Sequence, residues 1–173
     1  MMSLMEFKSV FQGGARPSLY RVSLSFPAGV QGANARKAEL LCKGAQLPAS
    51  NIPAVPVMYM GRQTFVAGDR TSEEVSLTFI VDTDFEPRTS FEKWMNMING
   101  TRSNLGVVNP NQYKTDIVVT ALGRDGKVLK TYKLEGCFPT NVSAADLSYD
   151  STDTVMELTV SLSVDFWTNE SVQ

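Results

Sequence analysis

The sequence predicts a mainly β protein: an antiparallel β-sandwich or barrel with one packed α-helix and a long proline-rich arm. Three observations lead there. Apolar and polar residues alternate in several separate segments, the period of a strand with one covered face. One segment alone has the three- and four-residue apolar spacing of an amphipathic helix. Three prolines fall among apolar residues in the stretch 44–61, GAQLPASNIPAVPVMYMG. Many strands with a single helix suit packed or closed sheet layers better than an alternating βα fold.

In chain order, residues 19–26 place Tyr20, Val22, Leu24 and Phe26 on one face and Arg21, Ser23 and Ser25 on the other, so they read as a half-covered strand. The following PAGVQGANARK reads as a polar turn region. In 44–61, Pro48, Pro53 and Pro56 disfavour helix and central strand alike, which leaves a long loop or edge-like arm. Its apolar side chains, Leu47, Ile52, Val55, Val57, Met58, Tyr59 and Met60, need cover that a neighbouring subunit can supply.

Strand signals resume at 62–66 and, after a Gly68-Asp69 turn, at 75–81, where Val75, Leu77, Phe79 and Val81 share a face. The helix follows: Pro87 suits its first turn, Phe91, Trp94, Met95 and Ile98 form the stripe, and Gly100 supplies a stop. Residues 103–112 read as a loop. Segments 113–122 and 127–135 flank the turn formers Gly123-Arg124-Asp125-Gly126 as a hairpin that ends at 136–140. A final alternation of Met156, Leu158, Val160, Leu162, Val164 and Phe166 predicts one unbroken strand over 154–167, roughly 45 Å long.

At 173 residues the chain fits a single domain, 1–173, with 44–61 as an extended inter-subunit segment. The opening residues 1–14 are read either as a segment that stays flexible until assembly or as one that makes ring contacts. A net charge of −2 argues against a protein that wraps nucleic acid tightly. The chain has no histidine, which removes the commonest general base and the usual nitrogen ligand for transition metals. Cys42 and Cys137 form no CxxC and read as a reduced pair, with a disulfide as the lesser alternative. No apolar run approaches the roughly 20 residues of a membrane helix, so folding in a cytoplasm is expected.

Five places offer residue types that could carry chemistry. Asp146, Asp150 and Asp153 lack the spacing, glycine and terminal glutamate of a calcium loop, and 150–153 reads as a turn. Gly68-Asp69-Arg70-Thr71 lacks any phosphate-loop context. It reads as a turn held by local pairing, with an Asp69 or Arg70 contact across a subunit boundary as the functional alternative. Ser90 and Lys93 have the SxxK spacing without its companion motifs. The pairs Glu73–Glu74 and Glu86–Glu92 read as surface acids, and Lys127, Lys130 and Lys133 do not share one strand face, so no phosphate-tracking stripe forms. No catalytic, cofactor-binding or metal-binding residue emerges.

Several segments, in order across residues 15–167, carry a resemblance. They are Arg16-Pro17-Ser18-Leu19-Tyr20, the run CKGAQLPA at 42–49, the run VAGDRT at 66–71, the helix from Phe91 to Trp94, Tyr113-Lys114, the run GCFPTNV at 136–142, and Val164-Asp165-Phe166-Trp167. On these the chain resembles the tail tube proteins of contractile-tailed bacteriophages. The resemblance implies hexameric rings whose strands join into a continuous β-barrel, stacked into a tube inside a contractile sheath. Contraction would drive the tube through the host envelope, and double-stranded DNA would pass down the channel transiently and non-specifically.

The same resemblance implies partners in sheath, baseplate, tape-measure and tail-terminator proteins, with no cofactor, no enzymatic role and no stable membrane association. The protein would be assembled in the host cytoplasm and reside in the virion tail. The arm, with Asp69 and Arg70, would mediate contacts within or between rings, and Thr159, Ser161 and Ser163 would face the lumen. The alternatives are the tube of a cellular contractile injection system, which shares fold and hexamer, and a monomeric β-rich binding domain.

Overall fold

The computed structural model describes residues 4–11 and 13–171. Seven strands form one antiparallel sheet: β1 (Tyr20–Ser23), β2 (Cys42–Ala45), β7 (Val75–Ile80), β8 (Thr115–Leu122), β9 (Val128–Val142), β10 (Glu157–Ser163) and β11 (Phe166–Ser171). The spatial order is β1-β8-β9-β10-β7-β2, and β11 also pairs with β9. Two small ladders lie apart from it, β3 (Ser50–Asn51) with β6 (Thr71–Ser72) and β4 (Ala54–Tyr59) with β5 (Arg62–Ala67).

The core is the covered face of this sheet. On β10 and β7 the register sets Leu158 opposite Phe79, Val160 opposite Leu77 and Leu162 opposite Val75, and all six are fully buried. The long helix α3 (Glu86–Ile98) lays Phe91 and Trp94 over them, with the rings of Phe79 and Phe91 5.2 Å apart. Trp94 keeps its indole N–H satisfied inside this apolar layer by donating to the Tyr113 carbonyl at 2.7 Å. This is the helix the apolar stripe predicts.

Three further short helices stand where none is expected: α1 (Leu4–Val10), α2 (Ala35–Leu41) and α4 (Pro110–Tyr113). In the segment read as a turn, Asn34 acts as the N-cap of α2, its side chain accepting from the Lys37 N–H at 3.0 Å. Glu39 of α2 then accepts from the Leu24 N–H at 2.9 Å and ties the helix to the strand β1. Lys37 bonds Asp82, Asp84 and Glu86 at the entry to α3, so α2 and α3 are pinned together by charge.

The hairpin β8–β9 forms as expected, but β9 does not end at 136. It spans 15 residues in all, running through Gly136 and Pro139 to Val142. Gly136 adopts φ +69°, and a Cβ there would stand 2.2 Å from an Asp165 carboxylate oxygen, so this irregular point in the ladder favours glycine strongly. Pro139 is tolerated because β8 covers β9 only as far as Cys137, leaving one edge of β9 without a ladder beyond that point.

The final strand departs from the expectation as well. It begins at Glu157 rather than 154 and breaks after Ser163, and Phe166–Ser171 continues as β11. Both halves keep β9 as partner, β10 against residues 138–142 and β11 against 130–135. At the break, the Asp165 N–H donates to the Glu135 carbonyl at 3.1 Å, and its carboxylate holds Lys114 Nζ at 2.6 and 2.8 Å. Phe166 consequently leaves the buried row and is exposed.

Candidate functional site

The segment expected as one loop divides into strands. The hairpin β4–β5 takes residues 54–67, paired from Ala54 with Ala67 out to Tyr59 with Arg62. Its two-residue connection, Met60-Gly61, has positive φ at both positions, 46° and 78°, the type I′ turn that matches strand twist. At its base the Gly68 N–H donates to the Pro53 carbonyl at 2.8 Å, and the short β3–β6 ladder closes the stem.

Paired residues of a ladder share a face, so one side of the hairpin carries Val55, Val57, Tyr59, Val66, Thr64 and Arg62, and the other Pro56, Met58, Phe65 and Gln63 with two alanines. Both faces are largely apolar, yet every one of the twelve strand residues is exposed. Ile52 and Leu47, nearer the stem, are exposed too. Phe65 and Val66 belong to this surface too, but the strand signal over 62–66 does not itself mark them as exposed. The available signal was their failure to alternate.

Asp69 and Arg70 lie exposed between β5 and β6, and neither makes an ion pair with another described residue. The local pairing expected of that turn is replaced by the Gly68 backbone bond to the stem.

A second surface lies on the sheet. Thr159, Ser161 and Ser163 occupy the face of β10 opposite the buried Leu158, Val160 and Leu162, and all three are half-buried. Register places Thr78 beside Thr159 and Ser76 beside Ser161 on β7, with Asn141 beside Ser161 on β9. The Thr78 and Thr159 hydroxyls approach to 3.4 Å. The result is a band of hydroxyl and amide groups, and Glu157 at its end is paired with Lys43.

The other sites considered in the sequence hold no convergent chemistry. Ser90 is on the buried face of α3 while Lys93 donates to the Gln31 carbonyl at 3.1 Å. Glu92 pairs with Arg88 at 2.7 Å, and Lys133 pairs with Asp116 at 3.1 Å and Glu135 at 3.3 Å. Around Asp150 the backbone turns, its N–H donating to Ser148 Oγ at 3.2 Å. Both cysteines are free thiols on strands separated by β7 and β10. Burial pushes Cys137 up to about 12 and Cys42 up to about 11, which keeps both protonated and poor nucleophiles near neutral pH.

The exposed area is itself informative. A folded monomer of 19.0 kDa presents about 8,400 Å² to solvent. This chain presents 12333 Å², roughly 4,000 Å² more. One partner in a standard interface covers about 800 Å², so the surplus exceeds what one such interface covers.

The sequence profile described as phage tail tube protein matches residues 15–170. The chain is 32% identical over 160 residues to tail tube protein gp19 of Enterobacteria phage T4, covering 91% of this chain and 94% of that protein. It is 31% identical over 166 residues to the tail tube protein of Serratia phage KSP90, covering 94% of each. In fold it is similar to a chain of the anti-feeding prophage baseplate, with a TM-score of 0.69 at 13% identity over 94% of this chain and 99% of that one. A chain from the sheath–tube complex of an extracellular contractile injection system in its extended state gives a TM-score of 0.62 at 16% identity, over 99% of this chain and 100% of that one.

Proposed function

The chain belongs to the phage tail tube protein family, and from that premise we propose that it is a non-enzymatic structural subunit whose copies close into hexameric rings. The rings stack into the inner tube of a contractile tail, and viral DNA passes down the channel. The observation that carries this reading is the β4–β5 hairpin, apolar on both faces and bare on both. A two-stranded hairpin is marginal alone in water, and one with two apolar faces gains order by lying between neighbours. Ring closure also removes the free edges of β1, β2 and β11, the strands that end the sheet.

Within this reading residues 44–61, with Asp69 and Arg70, form contacts within and between rings, and the band of Thr159, Ser161 and Ser163 lines the channel. A surface of hydroxyls whose end lysine, Lys43, is neutralised by Glu157 offers DNA phosphates little cationic grip, so the duplex slides. Sheath, baseplate, tape-measure and tail-terminator proteins are the partners, the virion tail is the location, and assembly takes place in the host cytoplasm.

The fold alone suits the tube of a cellular contractile injection system equally well. Sequence separates the two, at 32% identity to the phage T4 protein against 13% and 16% to the injection-system chains. Electron microscopy and sedimentation of purified protein, with and without a baseplate seed, test the proposal. Stacked rings of sixfold symmetry are expected; a monodisperse 19 kDa species under both conditions overturns it in favour of a monomeric binding domain.

A further inference from the structure

Two segments that carry the family resemblance, 16–20 and 42–49, lie far apart in sequence but converge on one cavity. It has a volume of about 310 Å³, and its mostly apolar lining includes Pro17, Leu19, Tyr20, Leu47 and Val119 together with the charged Arg16. The cavity sits where β1 and β8 approach β2, a junction held by the Tyr20 hydroxyl, which donates to the Cys42 carbonyl at 3.2 Å. Its volume matches that of roughly ten waters, ample for one long unbranched side chain.

The hairpin tip has the complementary peculiarity. Met60 holds φ +46° and is 86% exposed. The first position of a type I′ turn favours Asn, Asp or Gly, and a methionine there sacrifices local stability while its side chain stands bare. A residue that violates the local rule at a bare tip points to a contact made elsewhere. Methionine suits that use, being flexible, polarisable and able to fill irregular gaps.

The cavity Met60 could fill is not that of its own chain. Leu47 lies near the stem of the hairpin, and six residues of β4 carry the tip about 20 Å beyond the stem. Because every residue of the ladder is exposed, the hairpin does not fold back over the body. Resting on the self-assembly reading above, we propose that Met60 of one copy inserts into the Leu19–Leu47–Val119 cavity of a neighbouring copy, anchoring the hairpin between subunits. Leu47 thus belongs to the receiving side of the contact and Met60 to the entering side.

Two variants and a crosslink test this. Met60→Asn supplies the residue the turn favours, so the isolated chain keeps or raises its melting temperature, while the protein concentration for half-assembly rises at least tenfold. Met60→Leu, apolar and of similar volume, retains most assembly. A benzophenone amino acid placed at position 60 is expected to crosslink, in assembled protein, to residues 15–20 or 45–47 of another copy. Rings that form normally with Met60→Asn, or crosslinks that map to other segments, overturn the anchor and leave the tube reading intact. Wild-type protein that never assembles overturns both.

Discussion

The ladder β7–β10 and the ladder β4–β5 are built of the same material and stand in opposite surroundings. In the first, Val75, Leu77, Phe79, Leu158, Val160 and Leu162 are all fully buried beneath Phe91 and Trp94. In the second, Val55, Val57, Met58, Tyr59, Phe65 and Val66 are all exposed. Alternation explains the difference in part. The sheet strands have one apolar and one hydroxyl face and need a single cover, which the chain provides. The hairpin has two apolar faces, and no one-sided cover suffices. Stability of the subunit therefore resides in one ladder, and under the proposed assembly cohesion between subunits falls to the other.

The largest break in this contrast comes from charging the buried ladder. Leu162→Asp places a carboxylate opposite Val75 in the core, a cost comparable with the whole stability of about 5–15 kcal/mol. Loss of the cooperative melting transition in circular dichroism is expected; an unchanged transition would show that this side chain does not face the core.

Next is Gly136→Ala, which adds a Cβ against the Asp165 carboxylate at a left-handed position. The backbone conformation alone costs about 1–2 kcal/mol, so a drop of at least several degrees in Tm is expected, with more if Asp165 is pushed off Lys114.

The hairpin should behave in reverse. Phe65→Ser is expected to change the melting of the isolated chain by no more than about 0.5 kcal/mol, since Phe65 is 61% exposed and loses little beyond its cross-strand contact with Pro56. Sedimentation of concentrated protein should nevertheless show weaker association. A destabilised monomer with unaltered association would collapse the distinction between the two ladders.

The smallest effect concerns pH. Lys37 holds the carboxyls of Asp82 and Asp84 below their usual value of 3.8, and they in turn raise Lys37 above 10.5. The acids' contribution is fully present above 3.8 and is lost as pH falls through their lowered values. The lysine's is present below 10.5 and is lost as pH rises through its raised value. These groups are solvent-exposed, so the slopes are shallow, and Lys37→Met should flatten both in a series of thermal melts from pH 2 to 12.

Legibility in the sequence followed the range of the forces involved. The helix α3 could be read because Phe91, Trp94 and Ile98 announce their stripe locally and Pro87 marks its start. Thr159, Ser161 and Ser163 could be placed opposite the core because strand alternation is a local geometric rule. The hairpin was obscured by two exceptions to local rules, Pro56 within a strand and Met60 at a turn position that favours asparagine. β9 looked finished at Gly136 because only the tertiary arrangement shows that β8 has already left the edge where Pro139 stands. α2 was hidden because Asn34 reads equally as a turn former and as a helix cap. The cavity beside Leu47 joins segments more than seventy residues apart in sequence, which no local pattern reveals.

The 15 residues of β9 span about 50 Å when extended, and they are bonded along most of that length to β8 on one side and to β11 and then β10 on the other. In mechanical terms this strand is a spar common to both halves of the sheet. A pull along it loads its hydrogen bonds together in shear instead of peeling them one at a time. Within the proposed tube, a subunit so braced would transmit a thrust as a rigid piece.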